Sequence, residues 1–381
     1  MDLSFYKGKK VLVTGHTGFK GSWLVRMLVG AGAEVCGYAL EPPTDPSLFA
    51  LTGDAARIRH EIGDIRDYEH LSTVFAEFRP EIVIHMAAQP LVRESYREPR
   101  LTYETNVMGT VNVCECVRQC PSVRSFLNVT TDKVYRNLEQ DTGYRENDVL
   151  DGYDPYSNSK SCSELVTAAY VRSFFTPEAM AAQAAETKES AACARVLAVS
   201  TARAGNVIGG GDFAKDRLIP DCIRAVCAGE EIAVRNPHSV RPYQHVLDPL
   251  YAYLLICEKQ WEKPSLAGHY NIGPDDADCL TTGEMADLFC EIWNRDSIGG
   301  SAGALPRAVW TDLSGGLAYH ESGLLKLDST LVAKTFGRRP VWNTRTAVEK
   351  IVEWTRVWLE DGDVAACMDR EIGEFLSSQP G

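Results

Sequence analysis

The sequence predicts an α/β fold, in which a doubly wound parallel sheet carries helices on both faces and a smaller mixed α/β unit packs against it. Three observations predict this fold. Strand-like and helix-like segments alternate through the first half of the chain, which is typical of parallel strands joined by helices. A glycine-rich turn at 15–21 joins the first strand directly to the first helix. After residue 204 the alternation stops, and short apolar runs with many Pro and Gly follow.

The elements of the sheet can be placed in chain order. The first strand, 10–14, is a short apolar run, and the helix after the glycine turn, 22–29, ends at Gly30 and Gly32. A second strand, 34–40, runs into a Pro-rich loop. The remaining predicted strands are 57–62, 81–87, 125–130 and 195–201. The remaining predicted helices are 68–78, 101–118, 156–175 and a closing helix, 346–359, with Trp354 and Trp358 on one face.

The same pattern divides the chain into two interleaved domains. We expect residues 1–204 to form the sheet domain, with 240–270 returning to it, and residues 205–239 and 271–381 to form the smaller unit. The Ala-, Glu- and Thr-rich segment 176–194 has no strand character and only weak helical amphipathicity. We interpret it as a surface insertion.

Composition limits the function classes. The 381 residues include 39 basic and 52 acidic side chains, a formal net charge of −13, which disfavours non-specific binding to nucleic acid or anionic membranes. No apolar run reaches the roughly 18 residues of a spanning helix, and the N-terminal residues lack the apolar core of a signal peptide. Twelve cysteines without a CxxC pair indicate reduced thiols and no metal site. The sequence therefore predicts a cytoplasmic protein.

The glycine turn predicts a dinucleotide site. Its glycines are spaced GxxGxxG between a strand and a helix, where they permit close approach of a pyrophosphate to the free N–H groups at the helix N-terminus. The predicted contacts are Gly15, Thr17, Gly18, Phe19, Lys20 and Gly21. The second strand ends Tyr38-Ala39-Leu40 without an acid for an adenosine ribose, and the first acid after it, Glu41, lies in the loop. This weakens the argument for NAD over NADP. Asp64, after the third strand, is a candidate adenine contact or a capping residue.

Tyr156 and Lys160 lie one turn apart on a predicted helix and therefore on one face. A phenol has a pKa near 10, and a nearby ammonium favours the phenolate, which can then act as a base. Alone, this pair is a weak signal. Together with the glycine turn it predicts hydride and proton chemistry at one site.

Both motifs together resemble the extended short-chain dehydrogenase/reductase family, in which the Tyr removes the proton of a sugar hydroxyl while NAD takes the hydride. The resemblance covers nearly the whole chain and implies a Rossmann-type fold with NAD, rather than NADP, as cofactor. The resemblance adds cofactor contacts in the segment 86–89, at Asn106 and at the residue after Asp64. The added contacts are Ile65, Ala87, Ala88, Gln89 and Asn106.

The segment Thr131-Asp132-Lys133 follows the fifth strand and resembles that of the nucleotide-sugar 4,6-dehydratases. Most branches of that family have Glu in the third position, and the Asp-Lys version is similar to the branch acting on CDP-linked hexoses. The resemblance implies that Asp132 protonates the departing C6 hydroxyl and Lys133 takes the C5 proton, with Thr131, Tyr156 and Lys160 at C4. The alternative is that Lys133 is a surface ion-pair partner and Asp132 shuttles both protons.

An acidic protein needs a local group of donors to hold a sugar nucleotide. Arg241 is the strongest candidate, because a guanidinium can bind phosphate oxygens bidentately. The predicted substrate contacts are Gln89, Asn206, Arg217, Leu218, Val234, Arg235, Asn236, Arg241 and Tyr319. Cytosine selection rests on the resemblance alone, so GDP-, TDP- or UDP-hexose dehydratases remain alternatives, followed by a 4-epimerase and a non-catalytic nucleotide sensor. The family also implies a homo-oligomer formed through helices 101–118 and 156–175.

Overall fold

A computed structural model describes residues 2–186, 196–296, 306–314 and 323–378. Twelve strands and fourteen helices are assigned within these ranges. The strands are β1 (Lys10–Thr14), β2 (Glu34–Ala39), β3 (Arg59–Ile62), β4 (Ile82–His85), β5 (Ser125–Thr131), β6 (Ala198–Ala204), β7 (Asn206–Ile208), β8 (Ile232–Val234), β9 (Val240–His245), β10 (His269–Ile272), β11 (Cys279–Thr281) and β12 (Trp310–Asp312). The helices are α1 (Phe19–Gly30), α2 (Leu48–Thr52), α3 (Tyr68–Phe78), α4 (Val92–Arg97), α5 (Pro99–Tyr103), α6 (Gly109–Gln119), α7 (Pro155–Phe174), α8 (Pro177–Glu186), α9 (Leu218–Ala228), α10 (Leu247–Glu262), α11 (Thr282–Asp296), α12 (Thr330–Phe336), α13 (Thr344–Leu359) and α14 (Val364–Ser377).

The central sheet has seven parallel strands in the order β10-β6-β5-β4-β1-β2-β3. Its middle strands are buried, which explains their nearly continuous apolar sequences. The order reverses between β1 and β4, because β2 and β3 lie to one side of β1 and β4 lies to the other. The predicted doubly wound α/β fold is therefore confirmed.

Two strand predictions differ from the structure. The sixth strand runs over Ala198–Ala204, three residues beyond the predicted 195–201, because Ala198 pairs with Ser125 at the start of β5. The seventh strand, β10, was not predicted; it adds to the edge of the sheet by pairing with β6. A helix, α10, precedes it and packs on β5 and β6.

Helices cover both faces of the sheet. One face packs against α1 and α10, together with the C-terminal helix α14. The other face packs against α3 and α6, and α7 packs on α6 and β5. The predicted long helix 101–118 is a continuous helical path through α5, a π-helical turn at Glu104–Met108, and α6.

The smaller unit contains a three-stranded sheet, β11-β9-β7, and a two-strand pair, β12-β8. The middle strand of that sheet, β9, comes from the segment 240–270 that we expected in the sheet domain. Helices α9, α11 and α13 pack around a separate apolar core there. This unit lies against the large sheet, as shown by the Trp23 indole, which donates to the Gly210 carbonyl at 3.0 Å. Trp354 and Trp358 stack on one face of α13 as predicted, with ring centroids 6.4 Å apart.

The prediction that 346–359 closes the chain is wrong, because α14 follows it. Asp363 caps α14 through the Ala366 N–H, and Phe375 and Met368 are buried in the main core. Asp369 on α14 pairs with Arg26 on α1 at 2.6 Å. In the segment interpreted as an insertion, Pro177–Glu186 forms α8, and 187–194 lies outside the described residues.

Candidate active site

A cleft opens at the carboxyl ends of the central strands, between the large sheet and the smaller unit. Its cavity has a volume of about 330 Å³, the size of a small-molecule site. It collects predicted site residues from seven separate stretches of sequence. Those that line it are Lys20, Thr131, Asp132, Lys133, Tyr156, Asn206, Arg217, Leu218, Val234, Arg235, Asn236 and Arg241.

The glycine turn has the backbone geometry that a pyrophosphate site needs. Gly15 has φ 78°, and a Cβ there would lie 2.8 Å from the Ala87 nitrogen. A Cβ on Gly21 would overlap the Gly15 carbonyl. Gly18 caps α1 without a side-chain hydrogen bond, so the first N–H groups of α1 have no side-chain acceptor at that cap. The turn therefore leaves a concave surface of backbone donors next to the cavity.

Hydrogen bonds within the protein hold Thr17 and Asp64, two of the predicted cofactor contacts. The Thr17 hydroxyl donates to the Leu40 carbonyl at 2.9 Å. The Asp64 carboxylate accepts from the Arg66 backbone N–H at 2.9 Å and from its guanidinium at 2.6 Å. The helix cap of α3 is instead Asp67, so Asp64 is not the capping residue. Ile65 is buried beneath the surface, where its side chain meets Gly109.

The loop after β4 is fixed by hydrogen bonds to the helices beside it. Asn106 accepts from the Gln89 N–H at 2.8 Å and donates to the Gln89 carbonyl at 3.0 Å. The same amide donates to the Ser159 hydroxyl on α7 at 2.9 Å. The Gln89 side chain turns away to Thr102, so Pro90 and the residues after it, rather than Gln89, line the cavity.

The segment Thr131-Asp132-Lys133 turns sharply at the end of β5. Thr131 is the last strand residue, and a short 3-10 turn, Asp132–Val134, follows with Thr131 as its cap. The Thr131 hydroxyl donates to Asp132 Oδ1 at 2.9 Å. Asp132 is almost fully buried and Lys133 is half-buried, so adjacent residues present an acid and an amine to one cavity.

Tyr156 and Lys160 lie on the first turns of α7. Pro155 starts this helix and Asp154 caps it through the Ser157 N–H, as expected for a proline at the first helical position. The Lys160 ammonium donates to the Val129 carbonyl at 3.2 Å. Tyr156 lines the cavity, whereas Lys160 lies buried behind it.

Burial sets the electrostatics of both Tyr156 and Lys160. Burial raises the pKa of Tyr156 to about 12, and a hydrogen bond with Thr131 opposes that rise. Burial lowers the pKa of Lys160 to about 8, against the attraction of Glu164. Burial disfavours the charged form of each group, and a positive charge close to the phenol favours the phenolate.

Asp132 has the electrostatics of a proton donor. Burial raises its pKa, while the charge of Lys133 and the hydrogen bond from Thr131 lower it. Its Oδ2 atom is buried and has no hydrogen-bond partner among the described residues. A buried polar atom without a partner costs free energy, and a reacting group of a substrate can fill that position.

The arginines of the smaller unit are held in different ways. Arg217 pairs with Asp212 at 3.0 Å, and Arg235 pairs with Asp216 at 2.9 Å and with Asp221 at 3.3 Å. Arg241 is buried, and its guanidinium donates to its neighbour's carbonyl, Val240 O, at 2.9 Å. Arg241 therefore forms no ion pair with a carboxylate in the described ranges.

A group of ion pairs that the sequence did not predict joins three residues of the cavity wall. Asp216 has φ 59° and pairs with Arg93 on α4 at 3.3 Å as well as with Arg235, the residue after β8. All three residues line the cavity. Arg93 follows the carboxyl end of β4 by one short loop, which is the position where ligand contacts of parallel sheets concentrate, and this signal could have identified it.

Three further expectations concern Tyr319, a metal site and a membrane-spanning helix. Tyr319 lies outside the described residues. Within the described ranges, no group of three or more His, Cys, Asp or Glu side chains has the arrangement of a metal site. Among the same residues, no helix has the length and apolar character that a membrane span requires.

Comparison with protein families gives one match that covers most of the sheet domain. The model of the GDP-mannose 4,6 dehydratase family matches residues 12–271. The CDP-glucose 4,6-dehydratase of Salmonella typhimurium is 44% identical over 379 residues, 99% of each chain. A dTDP-glucose 4,6-dehydratase of Neisseria meningitidis is 33% identical over 180 residues, covering 44% of this chain and 51% of that protein.

Solved structures have the same fold. The dTDP-glucose 4,6-dehydratase of Bacillus anthracis in complex with NAD has a TM-score of 0.71 at 20% identity, covering 93% of this chain and 99% of that one. The UDP-glucose 4-epimerase of Thermus thermophilus in complex with NAD has a TM-score of 0.69 at 24% identity, covering 91% and 99%. These similarities confirm the Rossmann-type architecture.

The fold, the cleft and the family match together define an enzyme that modifies nucleotide-linked sugars and has a dinucleotide-binding fold. More particularly, the chain belongs to the GDP-mannose 4,6 dehydratase family, and its full-length similarity to a 4,6-dehydratase confirms the predicted enzyme class, a hydro-lyase acting on a nucleotide-linked sugar.

Proposed function

We propose that this enzyme converts CDP-glucose to CDP-4-keto-6-deoxyglucose and water, with NAD as a cofactor regenerated in each turnover. The observation that carries the proposal is the placement of Asp132 and Lys133 beside Tyr156 in one cavity. The full-length similarity to a CDP-glucose 4,6-dehydratase supports the choice of nucleotide. A dehydratase acting on another nucleotide-linked hexose is the alternative.

The residues present fit NAD. The turn at Gly15 and Gly21 leaves no room for a Cβ, and backbone donors at the start of α1 suit a pyrophosphate. Lys160 and Asn106, with the loop 87–89, would border the nicotinamide half. Bound NAD supplies a hydride acceptor and, once reduced, a hydride donor, and its positive charge favours a neighbouring phenolate.

The proton transfers divide among three side chains. Tyr156, hydrogen-bonded to Thr131, takes the proton of the C4 hydroxyl. Oxidation at C4 acidifies the C5 proton, which Lys133 accepts. Asp132 gives its proton to the C6 hydroxyl, which leaves as water. The raised pKa of Asp132 supports this role, since a general acid must hold its proton near neutral pH.

The diphosphate requires cations that are not already neutralised. Arg241 is buried at the edge of the cavity without a carboxylate partner in the described ranges, and a buried guanidinium in this position is suited to phosphate oxygens. Asn206 on β7 lies beside it in the neighbouring strand, since β7 pairs with β9. Val234 and Asn236 border the cavity where the base would lie.

The family implies a homo-oligomer, and we infer a dimer formed through α6 and α7. Several large apolar side chains on or next to these helices are exposed in the single chain: Tyr103, Met108, Leu165 and Phe174. Burial of such a patch favours association. We also infer a cytoplasmic location, because the cysteines of the described ranges form no disulfide.

Two measurements test the proposed function. Purified enzyme is incubated with CDP-, TDP-, GDP- and UDP-glucose, and the alkaline absorbance of a 4-keto-6-deoxy product is recorded; we expect product with CDP-glucose. Exchange of solvent deuterium into C5 is then compared between wild type and Lys133→Ala. Dehydration by Lys133→Ala at the wild-type rate would show that Lys133 is not the base.

A further inference from the structure

Lys20 is an unusual side chain for a glycine turn. Its backbone belongs to the second position of α1, where the N–H groups serve the predicted cofactor site. Its side chain, however, lines the same cavity as Thr131, Asp132 and Tyr156. One residue therefore contributes its backbone to one predicted ligand site and its amine to another.

The Lys20 amine forms no ion pair among the described residues, although the charge of Asp132 attracts it. It lies 5.7 Å from the centroid of the Tyr253 ring on α10, which offers a weak attraction but no counter-charge. Three of the four cavity arginines differ from it in this respect, because Arg93, Arg217 and Arg235 pair with aspartates. Lys20 is thus held in the cavity and remains available to a ligand.

The groups that face Lys20 are mostly cationic. Lys160 comes from α7 and Arg217 from the residue before α9, while Asp132 at the end of β5 is the acid near it. Burial lowers the pKa of Lys20 to about 7, and the charges of Lys160 and Arg217 act in the same direction. Three cationic side chains gathered around one position, with one acid that burial tends to protonate, create a site for an anion.

We propose that Lys20 binds the diphosphate of the substrate, and so determines affinity for the nucleotide sugar rather than for the cofactor. This inference rests on the proposed function. The cofactor also carries a pyrophosphate, which is the other group that the Lys20 amine could bind. The position of the amine favours the substrate, because Lys20 lines the cavity that holds Asp132 and Tyr156, whereas the turn amides would serve the cofactor.

A pH dependence follows from this placement. A bound diphosphate raises the pKa of the amine above its value of about 7 in the free enzyme. The contribution of Lys20 to binding is therefore fully present below pH of about 7 and is lost as the pH rises through the higher pKa of the complex. Affinity for a diphosphate should fall over that range, whereas affinity for an uncharged nucleoside should not.

The test compares Lys20→Met with Lys20→Arg and with Lys7→Met, an exposed lysine outside the cavity. Lys20→Gln is a second neutral variant in case Lys20→Met does not fold. Binding of CDP and of cytidine to the NAD-loaded enzyme is measured by calorimetry, and retained NAD is measured after denaturation. We expect the neutral variants to bind CDP about 10- to 100-fold more weakly, with cytidine affinity and NAD content unchanged, and Lys20→Arg to restore most of the loss.

Two results would overturn the inference. Wild-type affinity of Lys20→Met for CDP would show that the amine does not bind the diphosphate. Loss of NAD with CDP affinity unchanged would assign the amine to the cofactor. Failure of the proposed function is distinguishable, because the wild-type enzyme itself would then neither bind CDP nor turn over CDP-glucose, and both proposals would fall together.

Discussion

Asp132 and Lys133 show how neighbouring residues acquire opposite chemical roles. Asp132 is almost fully buried, with one carboxyl oxygen lacking a partner among the described residues, so burial favours its neutral form. Lys133 is half-buried at the cavity wall. A protonated acid next to an amine can deliver one proton and accept another, which elimination of water requires.

Asp132→Asn keeps the size of the side chain and removes its proton. We expect kcat for dehydration to fall about 100-fold or more, while CDP binding persists. In wild type, kcat should fall as the pH rises through the raised pKa of Asp132, because the acid then loses its proton. The pH–rate profile of Asp132→Asn should lack this limb, and an unchanged profile would contradict the assignment.

Tyr156→Phe removes the hydroxyl that takes the C4 proton. The expected loss in kcat is about 100- to 10,000-fold, with little change in CDP affinity. Tyr153→Phe is the matched control, since Tyr153 is 71% exposed just before the same helix. Equal kcat values for Tyr156→Phe and wild type would exclude the phenol from the reaction.

At the scale of elements, the glycine turn and its helix form the most constrained part of the cofactor site. We expect Gly21→Ala to displace the turn, because its Cβ would overlap the Gly15 carbonyl. Gly30→Ala, at the other end of α1, meets no atom within 4 Å and should be neutral or stabilising by less than about 1 kcal/mol. NAD content and Tm of the two variants separate these outcomes; NAD retained fully by Gly21→Ala would contradict the role of the turn.

The C-terminal helix α14 buries an acid whose ionisation opposes folding. Burial raises the pKa of Glu371 to about 8. It faces His245 on β9 at 3.6 Å and lies near Lys350 and Glu353 on α13, as well as Cys367 and Glu374 on its own helix. Because its folded-state pKa exceeds the unfolded value, its contribution to stability is present at low pH and is lost as the pH rises towards 8.

Glu371→Gln should remove this dependence. The unfolding free energy of wild type minus that of Glu371→Gln should decrease by more than about 1 kcal/mol between pH of about 5 and about 8. Denaturant unfolding at several pH values measures it, with the exposed Glu360→Gln as control. A difference that stays constant with pH would show that Glu371 does not titrate in this range.

Local sequence patterns predicted the elements with strong local signals. The glycine turn, the strand at Lys10–Thr14 and the helix at Tyr68–Phe78 have the predicted bounds or contain the predicted residues. Elements whose position depends on distant partners were missed: β10 is defined by its pairing with β6, and α14 by packing on α1. The Arg93–Asp216–Arg235 bridge was missed for the same reason, because its residues meet only after the smaller unit folds against the sheet.

At the scale of the whole molecule, the net charge of −13 and the proposed anionic ligands are compatible because cations concentrate in the cleft. Six cationic side chains line it, against four acidic ones, Asp132, Asp212, Asp216 and Asp221; the cations are Lys20, Arg93, Lys133, Arg217, Arg235 and Arg241. Burial also favours a protonated Asp132, which reduces the negative charge there. The cleft can therefore attract a nucleotide diphosphate although the protein as a whole is acidic.

The central claim is an internal oxidation and reduction coupled to loss of water, and isotopic labelling tests it most directly. CDP-glucose carrying deuterium at C4 is converted in ordinary water, and unlabelled CDP-glucose is converted in deuterium oxide. The account predicts a 4-keto-6-deoxy product with the C4 deuterium transferred to C6 in the first reaction and one solvent deuterium at C5 in the second. A product that keeps its C6 hydroxyl, such as the 4-epimer, or one without the transferred deuterium at C6, would contradict it.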